Sequence, residues 1–349
     1  MRIALVDFDN LLVNVALMKL SAFHKAQGDI VTLHSSKSLP DPKAVDKVYV
    51  STTFTWNRDA AANLQNLYPN IELGGTGWDF ASTSKGLVRT SYSALPDAVE
   101  HLRPDYDLYK YEEIYNRIRG RMTNDSRVEK AHRIVDSGIG FLTRGCVRKC
   151  DFCIVPPKEG QLHRVANIAD LINPRSNKVI LLDNNLTASP DIIDILREVK
   201  DRKLAIDICQ GIDIRLMTPE IAEALKGVKF FCDIHYAWDL MPFETQVLRG
   251  INMLAPFIGR KHHRCFMLVN YNTTWEEDWY RFHRLWHENK ILPYVMYYNK
   301  HKMDKQDPVQ VRLMHFQRWV NGLFLKKPGL EDFANYTNWQ RAQVKLGIA

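Results

Sequence analysis

Three cysteines stand close together at Cys146, Cys150 and Cys153, in the run Gly-Phe-Leu-Thr-Arg-Gly-Cys-Val-Arg-Lys-Cys-Asp-Phe-Cys. Their spacing is C-x₃-C-x₂-C, and the next cysteine, Cys209, lies far along the chain. Iron–sulfur clusters are held by Cys thiolates, and a closed 4Fe–4S cluster takes four of them. Three thiolates leave one iron open, and an open iron can bind a small molecule directly. A bacterial ferredoxin would instead show C-x₂-C-x₂-C-x₃-C-P. A structural zinc site would show paired knuckles or a Cys/His set completing a tetrahedron. His163 follows closely enough to be a fourth zinc ligand, so counting alone leaves zinc open. A structural disulfide is disfavoured, because nothing in the chain points to an oxidising compartment.

The rest of the chain decides what presents this loop. Its 349 residues suffice for two domains, and 46% hydrophobic with 25% charged residues is ordinary for a soluble globular protein. No apolar run is long enough to span a membrane. The N-terminus, Met1-Arg2-Ile3-Ala4-Leu5-Val6-Asp7, reads as a buried strand and not as a signal peptide, which places the protein in the reducing cytoplasm. A net charge of +7 permits an RNA or DNA partner, although a solvated basic surface is the plainer reading.

The first part alternates strands and helices: a strand over 2–8, a helix over 12–27 ending at Gly28, a strand over 47–51, a helix over 58–68 and a short strand over 71–73. That alternation indicates a parallel sheet in a small Rossmann-like domain, 1–77. Over 78–137 the periodicity fades, and Pro96, Pro104 and a polar stretch suggest a linker with short helices. Arg117, Arg119, Arg121, Arg127 and Arg133 give it positive charge, read first as a solvated connector and second as a basic flap tracking a nucleic-acid strand.

From Gly138 to about residue 300 a β/α rhythm returns. Apolar runs fall at 139–142, 179–182, 204–209, 228–234, 265–269 and 292–297, with helical segments at 190–200, 219–226, 243–255 and 275–287. Six strands are fewer than the eight of a full β/α barrel, whose chemistry sits at the C-terminal strand ends. The cysteine loop begins where the first of these strands ends. Residues 301–349 form a helical extension, whose Trp319, Phe324, Phe333, Tyr336 and Trp339 read as packing residues. Cys209, Cys232 and Cys265 read as core.

The cysteine run resembles the hallmark of the radical S-adenosylmethionine superfamily, with Phe152 as the aromatic residue before the last cysteine. The following Ile154-Val155-Pro156-Pro157-Lys158-Glu159-Gly160 is similar to members that carry a cobalamin-binding-like domain ahead of the barrel. The resemblance implies an α/β fold, namely a partial six-stranded (β/α) barrel preceded by the Rossmann-like domain. It also implies a 4Fe–4S cluster on Cys146, Cys150 and Cys153, with S-adenosylmethionine chelating the open iron. In the family an electron from the cluster then yields a 5′-deoxyadenosyl radical, which takes hydrogen from substrate. A reducing partner such as flavodoxin or ferredoxin is implied as well.

The same resemblance suggests cofactor contacts. The family's Gly-Gly-Glu motif for the methionyl ammonium is missing, and Asp183, Asn184 and Asn185 stand at its place as substitutes or as turn formers. Gln210, Asp213 and Arg215 follow the third strand, where the family binds ribose and carboxylate. His235 and Tyr271 are weaker candidates at later strand ends. The lower-ligand pattern Asp-x-His-x-x-Gly is absent and His24 does not fit it. Cobalamin is left open, and a degenerate domain serving substrate binding or architecture is favoured. No cysteine precedes Cys146, which argues against methylthiolation. The other reading is a non-catalytic iron–sulfur or zinc module in redox sensing or nucleic-acid binding.

Overall fold

The run Ile3-Ala4-Leu5-Val6 is buried throughout, as an inner strand of a parallel sheet requires. It lies in β1 (Arg2–Asp7), which pairs in parallel with β2 (Ile30–Ser35) and β3 (Lys47–Ser51). β4 (Ile71–Gly74) adds in parallel to β3, giving the order β2-β1-β3-β4. Helix α1 (Val15–Ala26) starts later than expected because Asn14 caps it, its side chain accepting from the Leu17 amide at 3.2 Å. The expected helix over 58–68 is α2 (Arg58–Ala62) followed by a tighter 3₁₀ turn. β2 escaped sequence reading because it is an edge strand with no fully buried residue, so no apolar run marks it. The computed structural model describes residues 1–10, 12–83, 86–120 and 122–348; Arg121 and Ala349 lie outside them. The chain divides into two units, Met1–Asn184 with Arg202–Ile206, and Asn185–Asp201 with Asp207–Ala349.

The stretch read as a linker carries regular structure within the first unit. It holds α3 (Thr76–Asp79), an antiparallel hairpin of β5 (Phe80–Thr83) and β6 (Gly86–Arg89), α4 (Asp97–Glu100), α5 (Tyr111–Arg117) and α6 (Asn124–Asp136). α6 was hidden by its polarity, since only Ala131 and Ile134 of it are buried. Arg117 is not a solvated connector charge: it donates to Asp7 at 2.8 Å, beside the Tyr109 hydroxyl at 3.1 Å from the same carboxylate. Burial pushes the Asp7 carboxyl up, and Arg117 and Tyr109 only partly offset it.

These contacts fill the C-terminal end of β1, beside the place where the strand order reverses and a doubly wound sheet receives ligands. His24, the first unit's histidine weighed for cobalamin, lies buried in α1 between Asp29 at 2.7 Å and Tyr49 at 3.0 Å. His24 is therefore held within the fold and is not placed as a lower ligand for cobalamin.

The remainder of the first unit builds the strand that leads into the cysteine loop. β7 (Gly138–Gly140) pairs in parallel with β10 (Lys178–Leu181), and β11 (Ala205–Ile208) begins beside β10. Between β7 and β10 lie β8 (Thr143–Arg144), α7 (Val155–Glu159) and β9 (His163–Arg164). Gly138 is required by close packing, because a Cβ there would come within 2.1 Å of the Leu171 carbonyl oxygen.

The second unit alternates helices and strands: α8 (Ile192–Asp201), α9 (Pro219–Leu225), β12 (Lys229–Phe230), β13 (Ile234–Ala237), α10 (Glu244–Leu254), β14 (His263–Val269), α11 (Trp275–His283), β15 (Leu292–Tyr297), α12 (Pro308–Asn321) and α13 (Thr337–Leu346). β13, β14 and β15 form a parallel sheet in that order. The strand expected over 228–234 is split into β12 and β13, and the break holds Asp233, drawn to Arg264 at 2.6 Å. Trp319, Phe333, Tyr336 and Trp339 are buried in an aromatic cluster with Trp275, Phe282 and Phe316. Cys265 is core as expected, whereas Cys209 is exposed because β11 ends one residue before it. No helix among the described residues is long and apolar enough to cross a membrane.

Candidate functional site

The cysteine loop is pinched at its neck. After β7 the chain enters β8, leaves through the loop and returns along β9, which pairs antiparallel with β8 through Thr143↔Arg164 and Arg144↔His163. The backbones at the two ends of the loop then approach closely. The Cys146 amide donates to the Gly160 carbonyl at 3.2 Å. Gly145 has φ +81, and a Cβ on it would lie 2.2 Å from the Gln161 carbonyl oxygen, so only glycine fits directly before the first cysteine. After Cys153 the chain turns into α7, whose first turn carries proline.

Residues from the end of β10 anchor the start of the loop. The Asp183 side chain is fully buried and accepts from the Leu142 amide at 3.1 Å, the Thr143 amide at 2.5 Å and the Thr143 hydroxyl at 2.8 Å. Burial raises its pKa, and these three donors pull the other way. Asn184 accepts from the Gly145 amide at 3.3 Å. Asp183 and Asn184, expected as cofactor contacts or turn formers, thus hold the loop's backbone.

An ionic chain supports the far side. Arg144 reaches Glu100 at 3.2 Å and Glu159 at 3.3 Å, Lys158 pairs with Glu159 at 2.8 Å, and buried Lys19 pairs with Glu100 at 3.3 Å. Burial pushes Glu159 up, but Lys158 and Arg144 outweigh it and hold the carboxyl below its usual range. Arg89 of β6 donates to the carbonyls of Pro157 at 2.8 Å and Lys158 at 2.6 Å. Sequence reading missed these residues; Gly145, adjoining the first cysteine, was the one available signal.

Cys146, Cys150 and Cys153 all line one cavity of about 390 Å³, together with Arg148, Lys149 and Asp151. The Arg148 amide donates to Cys146 Sγ at 3.3 Å and the Val155 amide to Cys153 Sγ at 3.4 Å. Such bonds stabilise sulfur carrying negative charge. Among the described residues no three His, Cys, Asp or Glu side chains converge as they would around a single metal ion. A 4Fe–4S cluster asks for something else, since each thiolate takes its own iron, and three cysteines around one shared cavity fit that demand. His163 is exposed on β9, its ring nitrogen 2.9 Å from the Gln161 carbonyl, and it does not wall the cavity. Phe152 is half-buried within the loop.

The remaining expected contacts lie in the second unit. Asp213 and Arg215 form a two-pronged pair at 2.7 and 3.0 Å, with the guanidinium 4.8 Å from the Phe243 ring centre. Asn185 is buried and its amide nitrogen stands 3.5 Å from Asp213, while Gln210 is exposed. His235 stacks on Phe266 at 5.3 Å, and Tyr271 meets Tyr298 edge-on at 4.9 Å. Asp239, at the end of β13, has its pKa pushed up to about 6 by burial, with Arg281 and Arg215 opposing. That shift comes from the fold around Asp239 and has no local signature in the sequence.

No protein-family model and no curated protein matches the chain. Among solved structures, SuiB of Streptococcus suis bound to the precursor peptide SuiA aligns at 15% identity and a TM-score of 0.35, over 59% of this chain and 54% of that one. SuiB alone aligns at 15% identity and a TM-score of 0.34 over the same shares. The chain spans about half the length of the SuiB chains it matches. At that similarity neither fold nor activity transfers.

Proposed function

We propose that this chain is a radical S-adenosylmethionine enzyme acting on a substrate yet to be identified. The observation that carries the reading is the loop after β7: three cysteines in C-x₃-C-x₂-C order, pinched at the neck and lining one cavity. In this reading 1–77 is the cobalamin-binding-like domain, 78–137 the connector, 138–300 the partial barrel and 301–349 the helical extension. When bound to Cys146, Cys150 and Cys153, a 4Fe–4S cluster would supply the electron for reductive cleavage of S-adenosylmethionine, and through it hydrogen abstraction from substrate.

The chain's own residues have distinct tasks. Cys146, Cys150 and Cys153 would each hold an iron, and the amides of Arg148 and Val155 would stabilise the charge on two of the sulfurs. Arg148 and Lys149 border the cavity with positive charge, which suits anionic thiolates. Asp183 is assigned a positioning role, because its oxygens hold the Leu142 and Thr143 amides that launch the loop. For S-adenosylmethionine, the resemblance alone supports Phe152, Asn184, Asn185, Gln210, Asp213 and Arg215 as contacts. The Asp213 carboxylate would keep the planar Arg215 fork oriented.

Anaerobic reconstitution with iron and sulfide tests the cluster. The wild type is expected to take up iron and acid-labile sulfide in equal amounts, and Cys150→Ala to lose both. A variant that keeps the wild-type cluster spectrum would remove Cys150 from the ligand set. Uptake of zinc in place of iron and sulfide would favour the non-catalytic module.

A further inference from the structure

A second cavity, of about 350 Å³, lies wholly within the second unit. Lys261, Arg264, Lys290 and Lys326 line it, with Trp286 and His287. Several separate segments bring these residues together. Lys261 comes from the 3₁₀ turn before β14, Arg264 from β14 itself and Lys326 from the 3₁₀ turn after α12. Trp286 and His287 come from the π-helical turn after α11, and Lys290 from the bend that follows it. Arg264 sits opposite Leu292 in the β14–β15 pairing, so the cavity opens at the N-terminal ends of these strands. Chemistry in β/α folds is carried at the other end.

Like charges gathered around one space repel, so such a wall is unfavourable unless something negative occupies it. Arg264 has a partner in Asp233 at 2.6 Å. Lys261, Lys290 and Lys326 have no carboxylate partner among the described residues, and no carboxylate lines the cavity. Lys326 instead stands 5.7 Å from the Trp286 ring centre, which holds its ammonium at the rim. Lys290 has φ +57, a left-handed conformation that Gly or Asn would adopt at lower cost. The helix end explains cations at His287 and Lys290. It does not explain Lys261 or Lys326, which come from other segments.

We infer that this cavity binds successive backbone phosphates of a nucleic-acid strand, one to each of Lys261, Lys290 and Lys326. Lysines are compact point charges that engage phosphate without reading sequence. The chain's net charge of +7 favours a polyanion over a singly charged metabolite. The inference does not depend on the cluster, since no cysteine lines this cavity and the readout below is binding.

The test titrates a labelled single-stranded RNA oligonucleotide into the full-length chain across a salt series. The wild type is compared with the triple variant Lys261→Gln, Lys290→Asn, Lys326→Gln; Asn at 290 suits the left-handed backbone. Circular dichroism establishes that both are equally folded. Binding by the wild type is expected, with the slope of log affinity against log salt falling by about 2 in the variant, from three phosphate contacts. Equal slopes, or no binding by the wild type, would overturn the inference. A parallel arm uses inorganic phosphate. If phosphate stabilises only the wild type against heat while no oligonucleotide binds, the site takes a free phosphate ester and the strand is wrong.

Discussion

Two glycines in the cysteine loop separate a steric clash from backbone strain alone. Gly145 and Gly160 both have positive φ, +81 and +73, but a Cβ meets the Gln161 carbonyl at 2.2 Å in the first case and nothing within 4 Å in the second. Gly145→Ala is therefore expected to open the neck and lose most of the iron taken up on reconstitution. Gly160→Ala meets no clash but must hold φ 73, ψ −146, a region that is essentially glycine's, so it should cost about 1–3 kcal/mol of backbone strain and keep its iron. Iron determination on both variants checks this, and equal loss in the two would contradict it. Asp183 makes a sharper demand, because three donors converge on one buried carboxylate. In Asp183→Asn one accepting oxygen becomes an NH₂ that faces donors, so denaturant unfolding should show a loss of about 2–4 kcal/mol. A protonated Asp183 would also lose an acceptor, so a loss below about 1 kcal/mol would mean that the carboxylate charge is not used.

At the scale of elements, β14 carries a buried titratable group with a clear sign. His263 is fully buried between the Tyr236 hydroxyl at 3.0 Å and the Ile258 carbonyl at 2.9 Å, and burial lowers its pKa to about 4. The unfolded chain takes up this proton near pH 6.5 and the folded one only near pH 4. The histidine's contribution is thus present above pH 6.5 and lost as pH falls toward 4. The stability of wild type relative to His263→Gln should fall by roughly 3 kcal/mol as pH drops from 6.5 to 4 and then level off. A difference that is flat with pH would contradict the buried neutral ring. Around α12, Trp319→Ala should cost about 3–5 kcal/mol in denaturant unfolding, as expected for a large aromatic removed from a packed cluster. A cost under 1 kcal/mol would mean that the cluster does not hold the helical extension in place.

At the scale of the whole chain, legibility followed burial. β1, β3, β10, β14 and β15 announce themselves as apolar runs because their residues are largely buried. β2 and α6 do not, since one is an edge strand and the other buries only two residues. The cysteines were legible because metal ligands must recur at a spacing the loop can close. Their support was not, because Lys19, Glu100 and Asp183 reach the loop from distant stretches of sequence, and long-range pairing leaves no local pattern. Asp239 is a similar case, its pKa raised by burial against the opposing charges of Arg281 and Arg215, which come from other elements.

The central claim is that the loop after β7 supports reductive cleavage of S-adenosylmethionine. The most direct measurement is 5′-deoxyadenosine by mass spectrometry, after anaerobic reconstitution and addition of S-adenosylmethionine and dithionite. The account predicts 5′-deoxyadenosine from the wild type and none from Cys150→Ala. A fully assembled 4Fe–4S cluster that neither binds S-adenosylmethionine nor yields 5′-deoxyadenosine would contradict it.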